Sequence, residues 1–156
     1  MNQLIILSIF LVFMSNSVYG ISEYWIKEKI GGHKRKCLVQ VPSTLKNDKS
    51  KEAMLILVFH GGGGNSRNIA RTLGFSRICE EKGVIVAYPE AMEGNWNDGR
   101  NSKLLWSQKN KIDDVGFVRF VVKKLEDEFK ISPRRMYATG VSNGGIFCHY
   151  LAIRCH

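Results

Sequence analysis

Gly140-Val141-Ser142-Asn143-Gly144 fits the pattern G-x-S-x-G. A serine hydroxyl is a weak nucleophile unless its surroundings activate it. This spacing offers such a setting when a strand precedes the serine and a helix follows, because the sharp turn between them exposes the Oγ at the end of the sheet. Glycine on each side leaves room for strand and helix to approach closely. The helix N-terminus favours negative charge beside the hydroxyl. In a chain with 15 glycines the pattern alone is weak, and an ordinary serine in a glycine-rich turn would match it too.

A second stretch, His60-Gly61-Gly62-Gly63-Gly64, follows a run of apolar residues. Acyl transfer places negative charge on a carbonyl oxygen in its transition state, so it needs N–H donors already aimed at that point. An α/β-hydrolase takes one donor from the residue after its nucleophile and another from a loop behind an earlier strand. A phosphate-binding loop fits less well. The chain has no G-x-x-x-x-G-K-[ST], and no G-x-G-x-x-G opens a helix at the right place. The two motifs together, in this order, are far more specific than either alone.

The partners that would activate Ser142 are harder to find. In this fold the acid and the histidine follow the serine, yet no Asp or Glu lies after Ser142. His149 falls seven residues along the expected helix, about 10 Å of rise, whereas a general base must come within about 3 Å. His156 is farther along. His60 reads as structural, and His33 falls in a turn. Asp113 and Asp114 precede the serine and read as helix caps. A serine without its base loses several orders of magnitude in rate. The expectation is therefore a C-terminally truncated chain, about half of an enzyme, with little turnover of its own. The alternative is a non-catalytic secreted binding protein that keeps part of the fold.

The elements that must position these motifs can be read from periodicity. Tyr24–Ile30 and Lys36–Val41 form two strands around Gly31-Gly32. Pro42–Glu52 is a polar surface loop. Met54–Phe59 and Val84–Tyr88 are unbroken apolar runs, as in strands buried on both faces of a parallel sheet. Ser66–Lys82 has helical spacing, with Ile69, Leu73 and Ile78 on one side and Gly83 as the stop. Ala91–Lys111 is irregular. Asp113 or Asp114 caps a helix reaching about Lys130, with Val118, Val121, Val122, Leu125 and Phe129 as its stripe. Pro133 precedes a strand at Met136–Thr139, and the last helix is Asn143–Arg154. Buried strands that alternate with helices imply an α/β fold: an α/β-hydrolase-type three-layer sandwich with a mostly parallel sheet.

Composition bounds the rest. Leu4–Met14 is apolar but short of the roughly 20 residues that span a bilayer. Val18 and Gly20 then stand where a signal peptidase accepts small residues. Residues 1–20 read as a secretory signal peptide and residues 21–156 as the N-terminal part of one hydrolase domain. No second long apolar run follows, so no membrane contact is expected after leader cleavage. The leader holds no Lys or Arg, and the net charge of +9 belongs wholly to residues 21–156. Those charges are scattered and lack an aromatic-interleaved basic stripe, which speaks for a solvated surface and against nucleic acid. Cys37, Cys79, Cys148 and Cys155 lack Cys-x-x-Cys spacing and allow three full pairings, with buried free thiols equally compatible. Neither a metal nor an organic cofactor is implied.

The chain resembles the group of secreted polyhydroxybutyrate depolymerases and feruloyl or acetylxylan esterases, carbohydrate esterase family one. The resemblance covers most of residues 21–156. It rests on Cys37–Pro42 (CLVQVP), Leu57–Asn65 (LVFHGGGGN), Gly74-Phe75-Ser76, Gly83–Pro89 (GVIVAYP), Trp96–Arg100 (WNDGR), Asp113–Phe117 (DDVGF) and Ile131–Gly145 (ISPRRMYATGVSNGG). It implies that Ser142 is the nucleophile and that Gly62 and Asn143 give the oxyanion N–H groups. It also implies an ester-bearing polymer as substrate, either a polyhydroxyalkanoate or an acylated polysaccharide. Trp96 and Asp98 match a loop of the family and are expected to order that loop, with no catalytic role.

Overall fold

The computed structural model describes residues 20–155. The expected signal peptide, except Gly20, and His156 lie outside them. The first two strands, β1 (Ser22–Ile30) and β2 (His33–Val41), pair antiparallel. Gly31 and Gly32 turn between them with φ of +56° and +84°, the left-handed backbone that a two-residue hairpin with the right twist demands. His33 is thus the first residue of β2, opposite Ile30, not part of the turn.

Strands β3 (Ala53–Phe59), β4 (Val84–Pro89) and β5 (Ile131–Gly140) run parallel. β2 joins them antiparallel to β4, giving the order β1-β2-β4-β3-β5. Every residue of β4 is buried, as its continuous apolar run requires in a sheet covered on both sides.

The alternation of side chains along each strand divides the core in two. Val39, Leu55, Leu57, Phe59 and Ala87 face Phe117, Val121 and Leu125 of α5 (Asp114–Glu128) and Phe147 and Leu151 of α6 (Asn143–Arg154). Their neighbours Leu38, Val58, Val86 and Tyr88 face Ile69 and Ala70 of α2 (Ser66–Thr72) and Cys79 of α3 (Phe75–Lys82). Helices cover both faces of one sheet, the expected three-layer sandwich.

Four differences from the sequence reading have local causes. The helix expected over Ser66–Lys82 is two helices, broken where Gly74 takes φ +68°, and Leu73 at the break is exposed instead of joining the apolar stripe. The polar loop after β2 contains a short helix, α1 (Ser43–Asn47), held by the burial of Leu45. Within Ala91–Lys111 lie a single tight turn at Met92–Gly94 and a short helix, α4 (Trp106–Lys109). The last strand begins at Ile131 and carries Pro133 inside it, at an irregularity where the register shifts between Ala53 and Leu55 of β3. A proline costs no ladder bond at such a point.

β5 is an edge of the sheet, with Tyr137 54% exposed. Asp113, not Asp114, caps α5, accepting from the Gly116 N–H at 2.8 Å. All four cysteines are free thiols, with Cys37 and Cys79 buried. No helix among the described residues is long and apolar enough to cross a membrane.

Candidate active site

β5 delivers the chain to Ser142, which takes φ 51° and ψ −118° at the start of α6. A non-glycine residue held there is strained by about 1–3 kcal/mol and persists only where its surroundings force it. The forcing contacts are backbone. A Cβ on Gly140 would lie 2.6 Å from the Gly144 carbonyl carbon and 2.8 Å from the Phe59 oxygen. A Cβ on Gly144 would collide with the carbonyl oxygens of Phe59 and His60. Both outer glycines of the motif are needed for close approach. Gly144→Ala should destabilise the chain by about 1–3 kcal/mol or more, measured by chemical denaturation. A loss within a few tenths would mean that the elbow can relax.

The end of β3 and the loop after it lie against this elbow. Val141 N–H donates to the Phe59 carbonyl at 3.1 Å. A Cβ built on Gly61 would sit 3.6 Å from Ser142 Cβ, and one on Gly62 4.0 Å from Asn143 Cβ. The structure thus brings the three predicted site residues, Gly62, Ser142 and Asn143, to one place. Within the loop, Gly63 N–H is engaged by the Gly94 carbonyl (2.9 Å) and Gly64 N–H by the Gly61 carbonyl (3.0 Å). The N–H groups of Gly62 and Asn143 have no acceptor among the described residues. Two free donors beside an exposed, strained serine are what stabilisation of a developing oxyanion requires.

His60 is 1% exposed and takes no part in proton transfer here. Its Nε2 accepts from the Ala91 N–H (3.1 Å), so the Nδ1 carries the proton and donates to the Gly61 carbonyl (2.8 Å). Burial lowers its pKa, against the opposing pull of that carbonyl and of Glu90. Below the unfolded value of about 6.5 the unfolded chain binds a proton that the folded chain refuses. This stability is complete above that pH and is lost as pH falls below it towards the folded value. Nitrogen NMR near pH 7 should show His60 neutral, with Nδ1 protonated; a proton on Nε2 in its place would contradict the assignment. Neither remaining histidine that is described suits as a base. His33 lies edge-on to Trp106, at 5.9 Å between centroids. His149 points to solvent from α6, seven residues beyond Ser142.

Sequence reasoning missed what holds Asn143. This side chain is buried, and its Oδ1 accepts from the Trp96 N–H at 2.7 Å. Its Nδ2 donates to Asp98 Oδ2 at 2.6 Å. Asp98 also accepts from Arg100 (2.7 Å) and Gln108 (2.7 Å). Burial pushes the Asp98 carboxyl up, but the hydrogen bonds and charge of Arg100, with Asn143, outweigh it and keep the pKa below the ordinary value. Trp96 stacks on Phe147 (4.9 Å, 14°), and its Nε1–H donates to the His60 carbonyl at 2.9 Å. The distinctive Trp96–Arg100 stretch was the available signal. No spacing rule connects it to a residue 45 positions away.

No protein-family model matches the chain. It is 33% identical over 98 residues to a protein named as an esterase, NocK, of Nocardia uniformis subsp. tsuyamanensis, matching 63% of this chain and 28% of that one. It is 28% identical over 120 residues to feruloyl esterase B of Piromyces equi, 74% of this chain and 21% of that one. It therefore spans less than a third of either curated relative. Among solved structures it resembles an S-formylglutathione hydrolase from Agrobacterium tumefaciens (TM-score 0.65, 14% identity, 91% of this chain and 57% of that one). It also resembles an acetyl xylan esterase from Aspergillus awamori (TM-score 0.63, 14% identity, 83% and 46%). At that identity the likeness speaks for the fold alone. In sequence the chain is similar to proteins named as esterases, and in fold it is similar to α/β-hydrolase esterases.

Proposed function

We propose that this chain is the nucleophile-bearing part of a secreted serine carboxylic-ester hydrolase acting on an ester-bearing polymer, a polyhydroxyalkanoate or an acylated polysaccharide. Ser142 attacks the ester carbonyl, the N–H groups of Gly62 and Asn143 hold the oxyanion, and the acyl-enzyme is released by water. The observation that carries this reading is the strained, exposed Ser142 with two unspent N–H groups beside it. Among the described residues no imidazole is placed to take the Ser142 proton, so residues 20–155 alone should turn over slowly at best. On this reading the acid and base that activate Ser142 lie outside residues 20–155.

The test is a panel of a p-nitrophenyl ester, feruloylated and acetylated xylan, and a polyhydroxybutyrate film, offered to the longest natural chain that contains this sequence. Release of acid from the model ester and one polymer is expected. No release from any ester would leave the non-catalytic binding protein as the better reading. Secretion is checked separately: the exported protein should begin at Ile21 by mass spectrometry, and an exported soluble form retaining Met1 would contradict the leader.

A further inference from the structure

The segment from Ala91 to Gln108 touches both sides of the proposed oxyanion pocket. On the loop side, Ala91 N–H holds the His60 ring, Gly94 O takes up the Gly63 N–H, and the Trp96 indole N–H holds the His60 carbonyl. On the elbow side, Trp96 N–H and Asp98 grip the two ends of the Asn143 amide. One stretch of chain therefore fixes the donor loop and the donor-bearing first residue of α6 relative to each other. Its anchor is Asp98, whose side chain is wholly buried and bonded to Asn143, Gln108 and Arg100 at once. A turn that only needed ordering could end at the Arg100 pair. The bond to Asn143 reaches into the site, at the residue whose backbone N–H is free.

We propose that Asp98 is a positioning residue for catalysis: by clamping the Asn143 side chain it aims the Asn143 backbone N–H at the oxyanion. The proposal rests on the reading of Ser142 as nucleophile and Asn143 as donor. Asp98 touches no reacting atom. Its effect falls mainly on the transition state, because the donor bonds a full negative charge there and only the partial charge of a neutral carbonyl in the ground state. Losing a donor of this kind costs about 100- to 1,000-fold. A donor that is present but poorly aimed should cost less, roughly 10- to 100-fold, as about 1 Å of misplacement does elsewhere.

The experiment compares Asp98→Ala, Asn143→Ala and the double variant in the longest natural chain, using a p-nitrophenyl ester and phenylboronic acid, which adds to the serine and places an oxygen where the oxyanion forms. Each single variant should lower kcat about 10- to 100-fold, leave KM within about twofold, and weaken boronate binding in parallel. The double variant should lose no more than the worse single, since both act through one clamp. The near-isosteric Asp98→Asn, which keeps one acceptor oxygen, should fall between wild type and Asp98→Ala, and it serves in place of Asp98→Ala if that variant does not fold. Wild-type kcat and boronate affinity in Asp98→Ala or Asp98→Asn, or losses that multiply in the double variant, would overturn the clamp while leaving the Ser142 reading intact. A wild-type chain that neither hydrolyses the ester nor binds boronate would remove the Ser142 reading and the clamp with it.

Discussion

Ser142→Ala in the longest natural chain is expected to lower ester hydrolysis by 10⁴-fold or more, on the order of the loss when a serine hydrolase loses its nucleophile. On the proposed reading the Oγ supplies the bond that makes the acyl-enzyme, and its described neighbours offer no replacement. Asn143 is the next residue and offers no nucleophile, and His60 spends both ring nitrogens on the backbone. The remaining activity would come from the oxyanion donors and substrate binding alone. Folding should survive the change. Ser142 caps nothing with its side chain and is exposed, so the hydroxyl contributes little to stability. A steady-state assay beside a thermal melt separates the two effects. An Ala variant that keeps even a tenth of the activity would mean that the hydrolysis occurs elsewhere.

The largest stability effect should come from Arg35→Met. Arg35 and Asp114 meet at 2.6 Å with side chains 1% and 0% exposed. The guanidinium also donates to the Glu90 carbonyl (3.1 Å) and lies 4.1 Å over the Phe117 ring. Asp114 accepts in turn from the Asn97 N–H at 2.7 Å. This pair ties β2, α5 and the Trp96 loop together. Removing one partner of a buried pair leaves an uncompensated charge and costs about 3–5 kcal/mol. Burial already pushes the Asp114 carboxyl up, and Arg35 is the main force opposing it. Without Arg35 the folded pKa rises further above the unfolded value. The deficit in Arg35→Met should then be greatest at neutral pH and shrink as pH falls and the carboxyl takes a proton. Arg35→Met with Asp114→Asn, which removes the charge but keeps an acceptor for Asn97, should recover part of the loss. Urea denaturation near pH 7 and pH 5 measures all of this. A loss under about 1 kcal/mol for the single variant would show that the site admits water or relaxes.

The parts of the fold that sequence made legible were those with a periodic signal. The unbroken apolar runs of β3 and β4 pointed to strands covered on both faces, and the apolar stripe of α5 marked the face it turns to the core. The elbow was legible because strand, Gly-x-Ser-x-Gly and helix occur in one order for one geometric reason, the close approach at Gly140 and Gly144. The break at Gly74 was hidden because the apolar spacing continues through it, and only a positive φ reveals the bend. Pro133 suggested a boundary because a proline is costly inside a regular strand. Here the strand is irregular at that point and the cost vanishes. The hold of Asp98 on Asn143 and the Arg35–Asp114 pair join residues 45 and 79 positions apart. Such contacts are set by how the layers stack, and no local pattern announces them. Asp114 looked like a cap because it stands beside Asp113, which is the cap.

The claim that Ser142 is an activated nucleophile is tested most directly by a fluorophosphonate, which phosphonylates such serines. The longest natural chain containing this sequence is treated with the probe, digested, and mapped by mass spectrometry. One adduct is expected, on Ser142 in the peptide spanning the elbow, and none in Ser142→Ala. An esterase-active chain whose adduct maps to another residue, or whose Ser142 stays unmodified while hydrolysis is lost, would contradict the account.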